Sequence, residues 1–232
     1  MSLLELDGVH TYYGESHILQ GLDLSVEKGE VVALIGRNGV GKTTTLRTAL
    51  GLTPPRRGTV RFKGADVTGE EPHVIAERGM GWVPEDRRVF AHLTIAENLR
   101  VAAHAATDPD ARLDEAYELF PDLERFADKE AGDLSGGQQQ MLAIARGMLG
   151  DNDLLLVDEP SEGLAPQIVS DVVEALRAAS ADTTLVLVEQ NFRLAMDLAD
   201  RFYLVDHGAV VESGDTAGVT SDDERIRRYL TA

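Results

Sequence analysis

A chain of 232 residues, 43% of them hydrophobic and 27% charged, is long enough for one substantial core and has the composition of a globular protein. Its apolar runs fall well short of the roughly 18 residues that span a bilayer, no basic and apolar leader stands at the amino terminus, and the lack of cysteine excludes disulfide frameworks and thiolate metal sites. Membrane-spanning and secreted proteins are therefore disfavoured, and we expect the chain in the cytoplasm.

The net charge of −18, from 40 acidic and 22 basic residues, is strongly negative. Such a surface repels the phosphates of nucleic acids and of anionic lipids, so we expect no nucleic-acid partner. Two interpretations are open. The protein is acidic without special adaptation, or it comes from a high-salt cytoplasm, where screening lets a dense negative surface stay folded.

The first 30 residues have the period-two pattern of antiparallel strands. Leu4 and Leu6 alternate with acidic residues, and the apolar residues of 22–26 alternate with polar ones. Tyr13 lies between these two predicted strands. From the residues alone, its ring could stack on a purine base or pack against its own sheet.

The stretch 36–44 fits the phosphate-binding loop pattern G-x-x-x-x-G-K-[ST]. A buried strand is predicted before it at 31–35, and a helix after it at 44–50. Glycines let successive N–H groups point inward, and the helix start adds partial positive charge, so a nucleoside triphosphate site is favoured over an accidental glycine-rich turn. Lys42 would reach the β- and γ-phosphates, and the Thr43 hydroxyl would bind Mg²⁺.

The middle of the chain is predicted to be mainly helical. A short strand is expected at 59–63, and an apolar segment ends at 81–84, just before Glu85. A helical pattern then runs from about 93 to 123 and begins with a capping-box signature at Thr94. This acidic region separates two nucleotide-related halves of the chain, which indicates an inserted helical lobe.

A second glycine-containing helix start lies at 135–138, with the sequence Ser-Gly-Gly-Gln. Ser135 can cap the helix that follows, whose apolar residues fall on one face. Two interpretations are open: a plain helix cap, or a second anion site. Because one loop already suffices for one triphosphate, a second site would act on the nucleotide of a neighbouring copy.

A buried strand at 154–158 leads into two carboxylates. Asp158, at the end of the strand, is placed to assist Mg²⁺, and Glu159, one residue further, is placed to polarise an attacking water. A pair without a role is disfavoured, because burying carboxylates without a partner is costly.

Four further elements are predicted in the last third of the chain, which shows little chemistry. A strand is expected at 184–188, two strands flank a hairpin turn at 206–208, and a short terminal helix is expected at 222–230. The six histidines show no metal-ligand spacing. Earlier in the chain, Arg87 and Arg88 are either a contact for a membrane partner or a solvated charge pair.

Together these features resemble the ATP-binding cassette of the ABC family. The segment 134–138, Leu-Ser-Gly-Gly-Gln, between a phosphate loop and the strand Leu-Leu-Leu-Val-Asp-Glu-Pro, is highly specific for that family, and the resemblance covers essentially the whole chain. It implies an α/β fold, a phosphate-loop nucleoside triphosphatase with a RecA-like core, in one domain of residues 1–232. An antiparallel β lobe would comprise about 1–30 and 59–70, and a helical lobe about 90–150.

The resemblance also implies how the nucleotide is held. Two cassettes pair head to tail, with ATP between the phosphate loop of one and the Ser-Gly-Gly segment of the other. Tyr13 becomes the adenine-stacking aromatic, and Glu159 becomes the catalytic base. The nucleotide-binding residues would be Tyr13, Gly36, Asn38, Gly39, Gly41, Lys42, Thr43, Thr44, Ser135, Gly136, Gly137 and Gln138.

Three positions depart from the family pattern. Glu85 stands where a glutamine usually contacts Mg²⁺ and water, Gln190 replaces a histidine near the γ-phosphate, and Ala165 replaces an aspartate. Gln190 can donate a hydrogen bond but cannot carry a proton or a charge. The candidate metal ligands are therefore Thr43, Asp158 and Glu85, and the candidate catalytic residues are Glu159, Lys42 and Gln190.

Segments at 83–90, 162–166 and 187–191 resemble one subgroup, the ATPases of importers for branched-chain amino acids and of the closely similar urea importers. This implies an ATP-hydrolysing subunit at the cytoplasmic face of the membrane, peripheral to it, with ATP and Mg²⁺ as cofactors. Its partners would be a second cassette, identical or paralogous, two membrane permease subunits and, indirectly, a substrate-binding protein.

Two alternatives come from other classes. A non-transport ABC ATPase acting on ribosomes or DNA usually has a basic surface, tandem cassettes or long inserts, and this single acidic cassette has none of these. A phosphate-loop kinase for a small substrate would leave the segment 134–138 unexplained.

Overall fold

The computed structural model describes residues 2–104 and 106–220, together with Asp223 and Tyr229. The strands are β1 (Ser2–Tyr13), β2 (Ser16–Glu27), β3 (Val31–Ile35), β4 (Arg57–Phe62), β5 (Ala65–Asp66), β6 (Met80–Val83), β7 (Leu154–Asp158), β8 (Thr184–Glu189), β9 (Arg201–Asp206) and β10 (Ala209–Asp215). The helices are α1 (Lys42–Ala49), α2 (Pro72–Glu77), α3 (Ile95–Ala103), α4 (Pro109–Leu119), α5 (Pro121–Arg125), α6 (Gly136–Met148), α7 (Pro166–Ala179) and α8 (Phe192–Leu198), with a 3-10 turn at Ala131–Asp133. The helix predicted at 222–230 falls outside the described residues, apart from Asp223 and Tyr229.

The strands form two sheets. A four-stranded antiparallel sheet has the order β2-β1-β4-β5, and a six-stranded sheet has the order β10-β9-β3-β8-β7-β6. In the larger sheet β6, β7, β8, β3 and β9 run parallel, and β10 pairs antiparallel with β9 at one edge. The parallel strands therefore end at one edge of the sheet, where ligands bind in open α/β folds. The predicted α/β class is confirmed.

Two hydrophobic cores lie on opposite faces of the larger sheet. Because side chains alternate along a strand, Ala33 and Ile35 of β3 face one core, while Val32 and Leu34 face the other. The first core is completed by helices α3 to α8. The second is completed by the antiparallel sheet, α1 and α2. Burial on both faces explains why β3, β7 and β8 are continuous apolar runs.

The antiparallel sheet arises from the N-terminal alternation. Leu6 of β1 lies opposite Leu24 of β2 and Val60 of β4, so the apolar residues share one face. The strand predicted at 59–63 instead begins at Arg57, which pairs with His10. Sequence pattern missed these two residues because their pairing partner is distant in the chain.

The helical region between β6 and β7 has the predicted capping box. The Thr94 hydroxyl accepts from the Glu97 amide at 3.2 Å, and the Glu97 carboxylate accepts from the Thr94 amide at 2.8 Å. This helical region is interrupted before Pro109, where the Asp108 carboxylate caps α4. The helices α2, α7 and α8 were not predicted by the pattern analysis. Taken over the described residues, no helix is both long and apolar enough to cross a bilayer.

A buried asparagine fixes the turn that precedes α3. The Asn98 side chain is fully buried. Its amide nitrogen donates to the carbonyls of Phe90, Leu93 and Thr94 at 3.0–3.2 Å, and its oxygen accepts from the Phe90 amide at 2.9 Å. These bonds hold residues 90–94 against α3. The Phe90 amide has no other partner among the described residues, while the three carbonyls also accept from the amides of Leu93, Ala131 and Asn98.

We predict that Asn98→Ala lowers the free energy of unfolding by about 1–3 kcal/mol, because the Phe90 amide loses its partner and three carbonyls lose one of their two donors. Chemical denaturation measures this change. His92→Ala, at an exposed position in the same turn, should stay within about 0.5 kcal/mol of the unmodified protein. Equal stability of the two variants would contradict the structural role assigned to Asn98.

Candidate functional site

The phosphate-loop segment connects the buried strand β3 with α1. Gly36 has φ 154°, and a Cβ there would lie 2.4 Å from the carbonyl oxygen of Val205, so no side chain fits. Gly41, which caps α1, is left-handed with φ 113° and has no side chain to bond the first amides. The start of α1 therefore leaves N–H groups for an anion, and the helix dipole favours negative charge there.

Lys42 is held across this loop although it is only 4% exposed. Its Nζ donates to the carbonyl oxygens of Gly36 at 2.9 Å and Arg37 at 3.1 Å. It also lies 3.1 Å from Oε1 of Glu159. This ion pair was not predicted, because the two residues lie on different elements more than 100 positions apart.

Asp158 occupies the end of β7 and is fully buried. Its Oδ1 accepts from the Thr43 hydroxyl at 3.1 Å, whereas the buried Oδ2 has no hydrogen-bond partner among the described residues. Burial raises the pKa of Asp158 to about 6, an effect opposed by the Thr43 hydrogen bond and reinforced by the charges of Glu85 and Glu159. An orphaned carboxylate oxygen beside a threonine hydroxyl suits a hard cation that takes oxygen ligands.

Glu159 leaves the strand in an unusual conformation. Its φ is 45°, in the left-handed region, and its amide donates to the Val188 carbonyl at 2.9 Å. Left-handed backbone costs a non-glycine residue about 1–2 kcal/mol. The conformation brings the carboxylate to Lys42, with its side chain only 9% exposed.

Most of the predicted site residues meet around one cavity of about 400 Å³. Tyr13 stands at its rim with an exposed ring, and the Arg47 guanidinium lies 6.0 Å from the ring centre. The neighbouring Tyr12, in contrast, stacks on His17 of its own sheet at 4.2 Å. The cavity is lined by Tyr13, Ile18, Asn38, Gly39, Gly41, Lys42, Thr43, Thr44, Glu85 and Glu159.

Glu85 lines the same cavity and faces other carboxyl groups. The pKa of Glu85 is raised, first by desolvation, although the side chain is partly exposed, and then by a hydrogen bond shared with Glu162. The charges of Glu162, Glu159 and Asp86 act in the same direction. Glu85 thus adds negative charge to a site that already holds Asp158 and Glu159.

The second predicted segment lies apart from this cavity. The Ser135 hydroxyl accepts from the Gln138 amide at 3.3 Å, and the Gln138 side chain accepts from the Ser135 amide at 3.0 Å. Together with Gly136 and Gly137 they form the start of α6, and none of the four lines the cavity. Gln190, directly after β8, is exposed and also does not line it.

Sequence reasoning missed Glu189, the last residue of β8. It is 2% exposed, and its two oxygens accept from the amides of Ser161 and Asn191, each at 3.1 Å. Burial raises the pKa of Glu189, while these hydrogen bonds lower it. The carboxylate therefore holds the turns after β7 and β8 together. A charged residue that ends an otherwise apolar strand was the available signal.

Comparison with known proteins identifies the family to which the chain is similar. The profile of the ABC transporter family matches residues 19–162. The chain is 40% identical to the high-affinity branched-chain amino acid transport ATP-binding protein BraG of Pseudomonas aeruginosa, over 98% of this chain and 99% of that protein. It is 34% identical to the probable branched-chain amino acid transport ATP-binding protein LivF of Archaeoglobus fulgidus, over 93% of both chains.

Solved structures agree with this assignment. An ATP-binding subunit of an ABC transporter superposes with a TM-score of 0.84 at 28% identity, covering 100% of this chain and 95% of that one. A dimeric ATP-binding cassette in a post-hydrolysis state, bound to ADP and Pi, superposes with a TM-score of 0.82 at 25% identity, covering 93% of this chain and 100% of that one. The phosphate loop, the Asp158–Glu159 pair and these similarities agree: the chain belongs to the ABC transporter family, as one of its ATP-binding subunits.

Proposed function

We propose that the chain is the ATP-hydrolysing subunit of an importer for branched-chain amino acids. The observation that carries this proposal is the meeting of Lys42, Thr43 and Glu159 at one cavity, with Asp158 buried behind it and bonded to Thr43. The chain is also similar over nearly its full length to two ATP-binding proteins of branched-chain amino acid transport. Importers of urea or other amides are the alternative within the subgroup.

In this proposal the cavity holds one face of ATP. Tyr13 stacks on the base, while Lys42 and the loop amides hold the phosphates. When Lys42 binds phosphate, its pairing with Glu159 weakens, which leaves that carboxylate to accept a proton from the attacking water. Gln190, which is exposed and does not line the cavity, would donate a hydrogen bond to the γ-phosphate.

Mg²⁺ would be held by Thr43 and Asp158, with Glu85 as a further carboxylate. The unpartnered Oδ2 of Asp158 supports this assignment. The described residues contain no group of three or more His, Cys, Asp or Glu side chains able to hold a metal alone. That fits Mg²⁺, which needs one or two protein oxygens together with phosphate and water. The ion would neutralise phosphate charge during transfer.

The second half of the nucleotide site would come from another cassette, through its residues 135–138. We infer a peripheral location at the cytoplasmic face of the membrane, with two permease subunits and, indirectly, a substrate-binding protein. Within the single domain, the antiparallel lobe would comprise about 1–30 and 59–70 and the helical lobe about 90–150. The strands β1, β2, β4 and β5 and the helices α3 to α6 support this division.

We predict that the chain, assembled with its membrane subunits in liposomes, releases phosphate from ATP faster when leucine and its binding protein are present. Glu159→Gln should lower this rate about 10²- to 10⁴-fold while ATP binding persists, because the base is lost. Glu174→Gln, an exposed position on α7, is the matched control and should keep the activity. Stimulation by urea alone would favour the amide importers, and a rate indifferent to any solute would favour a non-transport ATPase.

We predict that Asp158→Asn stabilises the nucleotide-free protein at neutral pH. The folded-state pKa of Asp158, about 6, lies above its ordinary value of 3.8. The folded state therefore binds more protons, and stability falls as pH rises between these two values. Asparagine removes the cost of holding an ionised carboxylate in a buried position. The gain in free energy of unfolding should therefore reach about 1–3 kcal/mol near pH 7 and vanish near pH 4. Denaturant titration at both pH values tests this, with Asp171→Asn as an exposed control. A gain that is independent of pH would contradict it.

We infer adaptation to high salt from the charge. The excess of 18 negative charges is self-repulsive at low ionic strength. Since the screening length falls from about 10 Å at 0.1 M salt to about 3 Å at 1 M, we predict a clearly higher melting temperature in about 1 M KCl than in about 0.1 M KCl. Equal melting temperatures would remove the inference.

A further inference from the structure

The segment between Glu85 and α3 contains two strained residues in succession. Arg87 has φ 60° and Arg88 has φ 47°, and neither is a glycine. Side chains larger than glycine disfavour this conformation, and such strain persists only where surrounding contacts impose it. Contacts with neighbouring elements must therefore hold Arg87 and Arg88 in this conformation.

Helix α6 supplies those contacts at two points. Nε of Arg87 donates to Oε1 of Gln140 at 3.0 Å, and Nη1 of Arg146 donates to the carbonyl oxygen of Arg88 at 2.6 Å. Gln140 is only 2% exposed, and its Nε2 has no partner among the described residues. Without Arg87 the Gln140 oxygen would be left unpaired as well.

The Arg87 guanidinium also covers the first turn of α6. Its Nη1 lies 3.1 Å from the position that a Cβ on Gly136 would occupy. A cation beside a helix N-terminus is electrostatically unfavourable, and within the described residues Arg87 forms no ion pair. Its placement is therefore explained by its contacts, because the guanidinium bonds Gln140 and lies against Gly136.

We propose that Arg87 is a positioning residue that joins the two halves of the nucleotide site within one chain. Glu85, two residues earlier, lines the phosphate-loop cavity, and Gly136 belongs to the second half-site. A displacement of Glu85 must pass through the strained segment, and Arg87 transmits it to the start of α6. The coupling part of this proposal rests on the proposed function, because 135–138 holds nucleotide only in a cassette pair.

Hydrogen exchange of the nucleotide-free chain tests the positioning directly. In Arg87→Gln, amides at 135–141 should exchange about 3- to 30-fold faster, the range that residues linking two sites typically produce, while those of α1 stay unchanged. Arg87→Lys should behave like Arg87→Gln, because lysine keeps the charge but lacks the planar fork.

Arg88→Gln is the matched control, since it removes one positive charge at the next residue, whose exposed side chain bonds Asp86 instead. It should leave exchange at 135–141 unchanged. The proposal would be overturned if amides 135–141 exchanged equally fast in Arg87→Gln and in Arg88→Gln. It would also be overturned if these amides in Arg87→Lys exchanged at the rate of the unmodified chain.

Gln140→Met, which removes the acceptor while keeping the side-chain length, provides a second route if Arg87→Gln folds poorly. Arg87→Lys, Gln140→Met and their combination should then give similar acceleration, because all three lose the same contact. If the two substitutions accelerated exchange additively in the double variant, the Arg87–Gln140 hydrogen bond would not be the cause, and the proposal would be overturned. The sole tryptophan, Trp82, adjoins this segment and gives a fluorescence readout of its response to MgATP, which the Arg87 variants should weaken.

The catalytic readout separates coupling from binding. In Arg87→Lys the kcat for ATP should fall about 3- to 30-fold, with KM unchanged and a lower Hill coefficient. A higher KM with unchanged kcat would overturn the proposal and indicate direct nucleotide binding instead. If the unmodified chain hydrolyses no ATP, the proposed function fails, whereas the exchange experiment still decides whether Arg87 positions α6.

Discussion

The charge imbalance at the carboxyl edge of the parallel sheet governs the rest of the site. Lys42, Asp158, Glu159 and Glu189 converge there, and each is almost removed from water. This group holds one ammonium and three carboxylates. Since burial strengthens charge interactions and penalises unpaired charge, the excess must be relieved. Burial raises the pKa of Asp158 and of Glu189, which makes proton binding one form of relief. In the proposed function a divalent cation would be the other, and it would account for acidic groups beside a loop that binds an anion.

Strand order makes this convergence unavoidable. In the sheet, β8 lies between β3 and β7, so the phosphate loop and the Asp158–Glu159 pair stand on either side of the end of β8. Glu189, the last residue of β8, bonds the turns after β7 and β8. The left-handed backbone of Glu159 then directs its carboxylate across this gap to Lys42. The local strain at Glu159 is compensated by this buried pair.

Local signals predicted much of this arrangement, and non-local ones did not. The phosphate loop, the strand ending at Asp158, the capping box at Thr94 and the helix cap at Ser135 each depend on residues within a few positions of one another, so pattern and spacing were sufficient. The pairing of Lys42 with Glu159 depends on strand order, which the sequence pattern does not encode. Helix α7 was not predicted because it begins at Pro166 without a side-chain cap. It therefore lacks the capping side chain that indicated the helix starts at Thr94 and Ser135. The roles of individual site residues, Gln190 included, stay predictions.

The start of α6 need not be a helix cap or an anion site exclusively. The Ser135 hydroxyl accepts one hydrogen bond from Gln138, but a hydroxyl has a proton to donate as well as a second lone pair. The cap therefore orients the hydroxyl while leaving its proton for an external acceptor. Ser135 and Gly136 are exposed and lie outside the phosphate-loop cavity, so an acceptor bound there belongs to another molecule. Within a family in which a cassette related at 25% identity is dimeric, a phosphate held by a second cassette meets these requirements. In the proposed function, the same capping box that stabilises α6 would also shape half of the neighbouring site.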